Sequence, residues 1–88
     1  MKEILYFSAN WCGPCKQLGP IMESLSGQIN YKKINVDNDT ELSTKYGVRN
    51  IPTLVLLENG EAVNRTTGLQ SKQQILDFPC LYAKFVQL

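Results

Sequence analysis

The chain has 88 residues, the length of one domain. A chain of this size removes roughly 60–70% of its unfolded surface from water, enough for one modest core, and its 43% hydrophobic content suits that class. A formal net charge of +1 argues against a polyanion-binding surface, and hence against nucleic acid, while no apolar run approaches the ~20 residues that a bilayer span requires.

Lys2 to Phe7 reads as the first strand. Its centre, Ile4-Leu5-Tyr6-Phe7, is continuously apolar, the pattern of a strand buried on both faces in the middle of an α/β sheet. Ser8-Ala9-Asn10 is a polar turn that leads into Trp11-Cys12-Gly13-Pro14-Cys15. Lys16 to Ser26 reads as an amphipathic helix, with Leu18, Ile21, Met22 and Leu25 forming one apolar stripe. Pro20 is expected to kink this helix and Gly27 to stop it. Tyr31 to Val36 is the second strand, with Ile34 and Val36 on one face and Lys33 and Asn35 on the other. Asn38 with Glu41 forms a capping-box pattern for a short helix that carries Leu42 and Tyr46 and ends at Gly47. Thr53 to Glu58 is the third strand. Asn59-Gly60 is a two-residue hairpin signal, so Glu61 to Thr67 is expected to return antiparallel. Ser71 with Gln74 opens another helix, through Ile75, Leu76 and Phe78, which Pro79 kinks or ends. Leu81, Tyr82, Phe85 and Val86 suggest a second apolar helical piece. The order is β-α-β-α-β-β-α in a single α/β domain over residues 1–88. Crossover helices imply parallel pairing early and the hairpin an antiparallel edge, giving a mixed four-stranded sheet flanked by helices. No repeat, low-complexity tract or linker interrupts it.

The two thiols at positions 12 and 15 lie where a strand hands over to a helix. The first turn of a helix has unpaired backbone N–H groups and roughly +0.5 of a charge. A thiolate is stabilised in that field, so the Cys12 pKa is expected to fall below its free value and Cys12 to be the attacking sulfur. Cys15 lies one turn on, on the same side, and can close a small ring with Cys12; it is expected to be the less exposed of the two. Pro14 suits the first turn because the N–H it lacks would be unpaired there. Gly13 lets another chain's backbone come close. Cys-x-x-Cys alone also occurs as half of a zinc site or as an inert bridge. Zinc needs four ligands, and three cysteines with no histidine require a carboxylate or a partner chain to complete the set, so no metal is expected. An inert bridge with so short a ring constrains little of the unfolded chain. Met1-Lys2-Glu3 runs into a strand with no signal-peptide pattern, which makes a reducing, cytoplasmic setting the expectation. Cys80 fits no motif. It reads as a small buried hydrophobe, or alternatively as a regulatory or dimerising thiol.

WCGPCK after an apolar strand, followed by a Pro-interrupted helix, resembles the thioredoxin family. Tyr46-Gly47-Val48-Arg49-Asn50-Ile51-Pro52-Thr53 and Gly68-Leu69-Gln70-Ser71-Lys72 resemble the family's other two signatures, and the likeness runs from about Ile4 to Phe78. Family members often carry an extra strand and helix ahead of this unit. Here Met1 directly precedes the active-site strand, so a trimmed version of the fold is expected, closer to glutaredoxin in size. The resemblance implies a cis peptide bond at Ile51-Pro52 facing the active site, with the Ile51 backbone turned outward to a substrate strand. An X-Pro bond is the one inexpensive place for a cis peptide, although a turn proline starting a strand is the simpler reading of Pro52. Trp11, Gly13, Pro14, Ile51, Pro52, Thr67 and Gly68 then bind substrate in a shallow groove beside Cys12. Trp11 as a core residue and Gly68 as a turn glycine are the plainer alternatives.

Two departures from the family pattern stand beneath the thiols. The family usually places a buried Asp there and assigns it to proton transfer with the second cysteine; aligned without a gap, that site is Tyr6. Ser8 likewise replaces a common Trp, whereas Lys33 matches the lysine that normally lies near the acid. Without the carboxylate, Lys33 and the helix field meet no opposing negative charge. The Cys15 thiolate is then easier to form, with its proton leaving through water or the Tyr6 hydroxyl. A tyrosine hydroxyl near pKa ~10 is a poor base at neutral pH, and Tyr6 as core filler is the alternative.

The resemblance implies a protein-disulfide reductase. Cys12 attacks a substrate disulfide, a mixed disulfide forms, and Cys15 displaces the reduced protein. It also implies no bound cofactor, recharging by a thioredoxin reductase with NADPH behind it, disulfide-containing protein substrates, no nucleic-acid or membrane partner, and a monomer. Two alternatives remain: a glutaredoxin-like protein recharged by glutathione, against which Trp11 and Gly13-Pro14 argue, and a non-catalytic thioredoxin-fold binding subunit.

Overall fold

In the computed structural model of the chain, residues 2–78 are described. Strand β1 (Lys2–Ser8) is buried from Ile4 onward because it lies inside the sheet, whose order is β2-β1-β3-β4. The remaining strands are β2 (Tyr31–Asn35), β3 (Thr53–Glu58) and β4 (Glu61–Thr67). Successive side chains of a strand point to opposite faces, and two packed layers result. Ile4 and Tyr6 of β1 and Leu54 and Leu56 of β3 meet Leu18, Met22 and Leu25 together with Ile75 and Phe78. Leu5, Phe7, Val55 and Leu57 face the other way, against Ile34 and the partly buried Val36, Leu42, Tyr46 and Val48. The unbroken apolar run of β1 therefore serves two layers at once.

Helix α1 (Gly13–Ser24) connects β1 to the parallel strand β2, in a register that sets Tyr6 opposite Lys33. It contains Pro20 and buries Cys15, Leu18 and Met22. It ends before Gly27. Leu25 and Ser26 donate to the carbonyls three residues back, those of Met22 and Glu23, so the last turn tightens and closes itself. A left-handed glycine is not needed there, and Gly27 is not among the positive-φ glycines.

Helix α2 (Thr40–Lys45) is capped one residue later than the sequence pattern indicates. Asp39, not Asn38, accepts the Leu42 N–H, at 3.2 Å. Asn38 is spent in the preceding turn, where its N–H bonds the Asn35 carbonyl. At the other end Gly47 takes φ +63°, its N–H bonds Thr44 and that of Val48 bonds Ser43, a Schellman closure. The Arg65 guanidinium reaches over from β4 to donate to the Tyr46 and Gly47 carbonyls.

The expectation of further parallel pairing after α2 fails: β3 runs antiparallel to β1. A six-residue helix rises only about 9 Å, roughly half the length of the strands it joins. The chain does not return to the far end of the sheet, and β3 starts at the end where β2 finishes. That is also the end where β1 delivers the two cysteines. Asn59 (φ +55°) and Gly60 (φ +88°) then turn the hairpin into β4, both central residues having the positive φ of a type I′ turn. A helical run over 72–78, α3, opens with reciprocal bonds: Ser71 Oγ accepts from the Gln74 N–H and Gln74 Oε1 from the Ser71 N–H. Pro79, Cys80 and the apolar pattern from Leu81 to Val86 lie outside the described residues.

Leu56 is fully buried on β3 between β1, α1 and α3. Leu56→Ala is expected to cost about 2–5 kcal/mol, read as a lower urea midpoint at an unchanged slope.

Candidate active site

Cys12 is the N-cap of α1. Its backbone is extended (φ −87°, ψ 118°), and its Sγ accepts the Cys15 N–H at 3.2 Å. The sulfur stands where a serine or aspartate oxygen usually satisfies an orphan amide. Gly13 and Pro14 fill the first two helical positions, so the next free amide belongs to Cys15 itself. The two cysteines are joined in a disulfide, with Cα atoms 5.2 Å apart.

Cys12 and Cys15 are equally buried, each 5% exposed, which corrects the expectation that Cys12 is the more open. The cause is the loop before β3. Ile51 packs on the cysteines together with Ala9 and Val36, and the Ile51 carbonyl oxygen lies 3.8 Å from Cys12 Sγ, where a reduced thiol can donate to it. The Ile51-Pro52 bond is cis, as the resemblance implies. Two bonds brace this loop: Thr53 Oγ1 donates to the Asn50 carbonyl at 2.5 Å, and the Gly68 N–H to the Pro52 carbonyl at 2.8 Å. Gly68 takes φ +89° and continues the pairing of Thr53 with Thr67. It thus fastens the end of β4 to the proline loop, which exceeds the part of a plain turn glycine.

Trp11 is 68% exposed, so the core reading of this residue fails. Its indole Nε1–H donates to Asp37 Oδ2 at 2.9 Å, and Asp37 is itself set by a bond from its N–H to Asn35 Oδ1. The sequence offers no signal for Asp37 beyond an acid just past a strand end. Leu69, 46% exposed directly after Gly68, is a second apolar surface residue that the pattern alone does not single out. The structure therefore brings Ile51 against Cys12 directly, Pro52 and Gly68 through one bond, and Thr67 through its pairing with Thr53.

Below the helix turn, the buried Tyr6 hydroxyl donates to the Cys15 carbonyl at 3.1 Å. Burial pushes the Tyr6 phenol above its ordinary value, a Ser8 hydrogen bond works against that, and the neighbouring Tyr31 adds to it. Lys33 is exposed beside it on β2. Among the described residues, no group of three or more His, Cys, Asp or Glu side chains is placed to hold a metal ion.

The thioredoxin family model matches residues 2–79. The chain belongs to the thioredoxin family. A thioredoxin of Rickettsia felis is 42% identical over 76 residues, which cover 82% of this chain and 72% of the relative. One of Chlamydia caviae is 40% identical, covering 83% and 74%. The solved structure of a single-site mutant thioredoxin from Halobacterium salinarum superposes with a TM-score of 0.85 at 41% identity, over 92% of this chain and 74% of that one. The Fasciola hepatica thioredoxin superposes at 0.83 with 28% identity, over 92% and 80%. With its dithiol pair, this thioredoxin-family chain is a thiol–disulfide oxidoreductase that reduces protein disulfides. No helix among its described residues is long and apolar enough to cross a membrane.

The raised Tyr6 phenol has a consequence for stability. Folding favours its protonated form, so its contribution is complete below the unfolded value of 10.0 and is lost as pH climbs through the higher folded value. Thermal melts from pH 8 to 11 are expected to fall in the wild type and to fall less steeply in Tyr6→Phe, the remaining slope including Tyr31, whose phenol burial also raises.

Proposed function

We propose that the chain reduces disulfides of other proteins by a two-step exchange with Cys12 as nucleophile and Cys15 as resolving thiol. The observation that carries this reading is the Cys12 sulfur capping α1 and accepting the Cys15 amide, with the Cys15 sulfur within bonding reach. In the reduced protein the same amide and the helix field favour a thiolate at Cys12. That thiolate attacks one sulfur of the substrate disulfide, and the other leaves with the electron pair. Cys15 then attacks Cys12 Sγ, which releases the second substrate sulfur and closes the Cys12–Cys15 bond.

Substrate lies in the groove of Trp11, Gly13, Pro14, Ile51, Pro52, Thr67 and Gly68. The exposed indole, held by Asp37, supports this placement, as does the Ile51 side chain packed on the cysteines beside the Pro52–Gly68 bond. The domain works as a monomer in the cytoplasm and binds no cofactor. Its electrons come from NADPH through a thioredoxin reductase. Its own residues at the reacting sulfurs are a tryptophan, a glycine and a proline, with no charged side chain between the thiols to hold a glutathione carboxylate.

Insulin precipitation by dithiothreitol is the direct test. The wild type is expected to accelerate it, Cys12→Ser to return it to the reagent background, and Cys15→Ser to accumulate a covalent adduct with the substrate. Consumption of NADPH is expected with thioredoxin reductase present and not with glutathione and its reductase. Full biological activity in a Cys12→Ser, Cys15→Ser double variant would instead identify a binding subunit.

A further inference from the structure

A small pocket borders the second cysteine, and Ile51 is not part of its lining. Tyr6, Ser8, Asn10, Cys15, Lys16 and Lys33 line it, and its volume is about 160 Å³. Its lining includes two lysines and several neutral polar residues, but no acidic residue. The chain has no histidine. Cys15 shares this lining with Tyr6 and Ser8 of β1, Asn10 of the turn, Lys33 of β2 and Lys16 of α1, while Ile51 and Val36 pack on the cysteine pair with apolar side chains. Asp37 lies outside this lining and is engaged by the Trp11 indole.

Resolution of a mixed disulfide requires Cys15 to lose a proton. A side chain that takes it needs a free lone pair and an affinity near the working pH. Tyr6 lacks the affinity: its hydroxyl donates to the Cys15 carbonyl and its phenol ionises only above the ordinary tyrosine range, so near neutrality it is an uncharged phenol and a very weak base. Protonated lysines have no lone pair to offer. Water does, and a pocket of this volume with several polar partners has room for it.

We propose that the Cys15 proton passes directly to solvent in this pocket, that Lys33 and Lys16 hold the resulting thiolate, and that Tyr6 is a positioning residue which fixes Cys15 through its carbonyl. The inference rests on the two-step exchange above and specifies how its second step is driven. Cys15 gives its proton to water, and the thiolate forms the bond to Cys12 Sγ. The bond between Cys12 and the substrate sulfur breaks, and that sulfur leaves with the electron pair and is protonated by solvent. Two electrons move from the dithiol to the substrate, and no further oxidant or reductant is needed. Positive charge without an opposing acid favours the anionic form of the thiol.

The test uses the full chain carrying Cys12→Ser, in which Cys15 has no partner. Its ionisation is followed by iodoacetamide alkylation against pH, resolved by peptide so that Cys80 is scored separately. Lys33→Met is expected to move the Cys15 midpoint up by about half a pH unit, roughly a threefold loss of thiolate, and Lys33→Arg to restore it. Tyr6→Phe is expected to leave the midpoint in place while slowing release of the mixed disulfide in the Cys12-containing protein at every pH. Tyr6→Asp is expected to raise the midpoint further and to add a second inflection to the release rate. A midpoint indifferent to Lys33→Met, or one that moves as far in Tyr6→Phe as in Lys33→Met, overturns the proposal. Lys33 is exposed, so its variants keep the fold even if Tyr6→Asp does not. Failure of the wild type in insulin reduction with the Lys33 shift intact removes the reductase reading and leaves the pocket's electrostatics standing.

Discussion

A sulfur caps a helix in this protein, and the rest of the site follows from that bond. The N-cap position demands an acceptor for amides that the helix leaves unpaired. Cys12 supplies one that is also a nucleophile, and Pro14 withholds an amide of its own, so the Cys15 N–H is the donor that meets the sulfur. The same 12–15 spacing that satisfies the cap brings the second sulfur to the first. Local helix stability and redox chemistry therefore draw on one geometric relation.

That relation is held in place by two layers of side chains on opposite faces of one sheet. Ile4 and Tyr6 fasten β1 to α1, and Leu5 and Phe7 fasten it to the α2 side. The ring of Phe7 meets that of Tyr46 at 6.2 Å, which links the strand that delivers the cysteines to the helix that leads toward the proline loop. Arg65 closes the circuit by binding the carbonyls at the end of α2 from β4. The loop facing Cys12 is thus anchored at both ends, by the Schellman turn at Gly47 and by Gly68 at Pro52.

Tyr6 occupies the centre of this arrangement. Its ring belongs to the core shared by α1, β3 and α3, and its hydroxyl reaches the backbone of the resolving cysteine. A residue that looks like filler by volume is, by its one polar atom, a strut under the helix turn. Tyr6 fills core volume, as one reading of the sequence has it, and its hydroxyl also touches the backbone of the thiol site.

The amino-acid sequence by itself determined the elements and the chemistry. Alternating and continuous apolar runs set the strands, Asn59-Gly60 set the hairpin to the residue, Ser71 with Gln74 set a helix start, and Cys-Gly-Pro-Cys after a strand set the dithiol. These signals are legible because they act over a few neighbours through φ/ψ preference, amide capping and side-chain period. Tertiary structure alone decided the antiparallel placement of β3, the cap at Asp39 rather than Asn38, the burial of Cys12 under Ile51, and the Trp11–Asp37 bond. Each depends on where distant segments meet: on how far a six-residue helix carries the chain, and on which side chain a folded loop lays against another. Two adjacent candidate caps are equal by residue type, and an acid 26 positions from an indole gives no local sign of its partner. Only closure of the sheet brings such groups together.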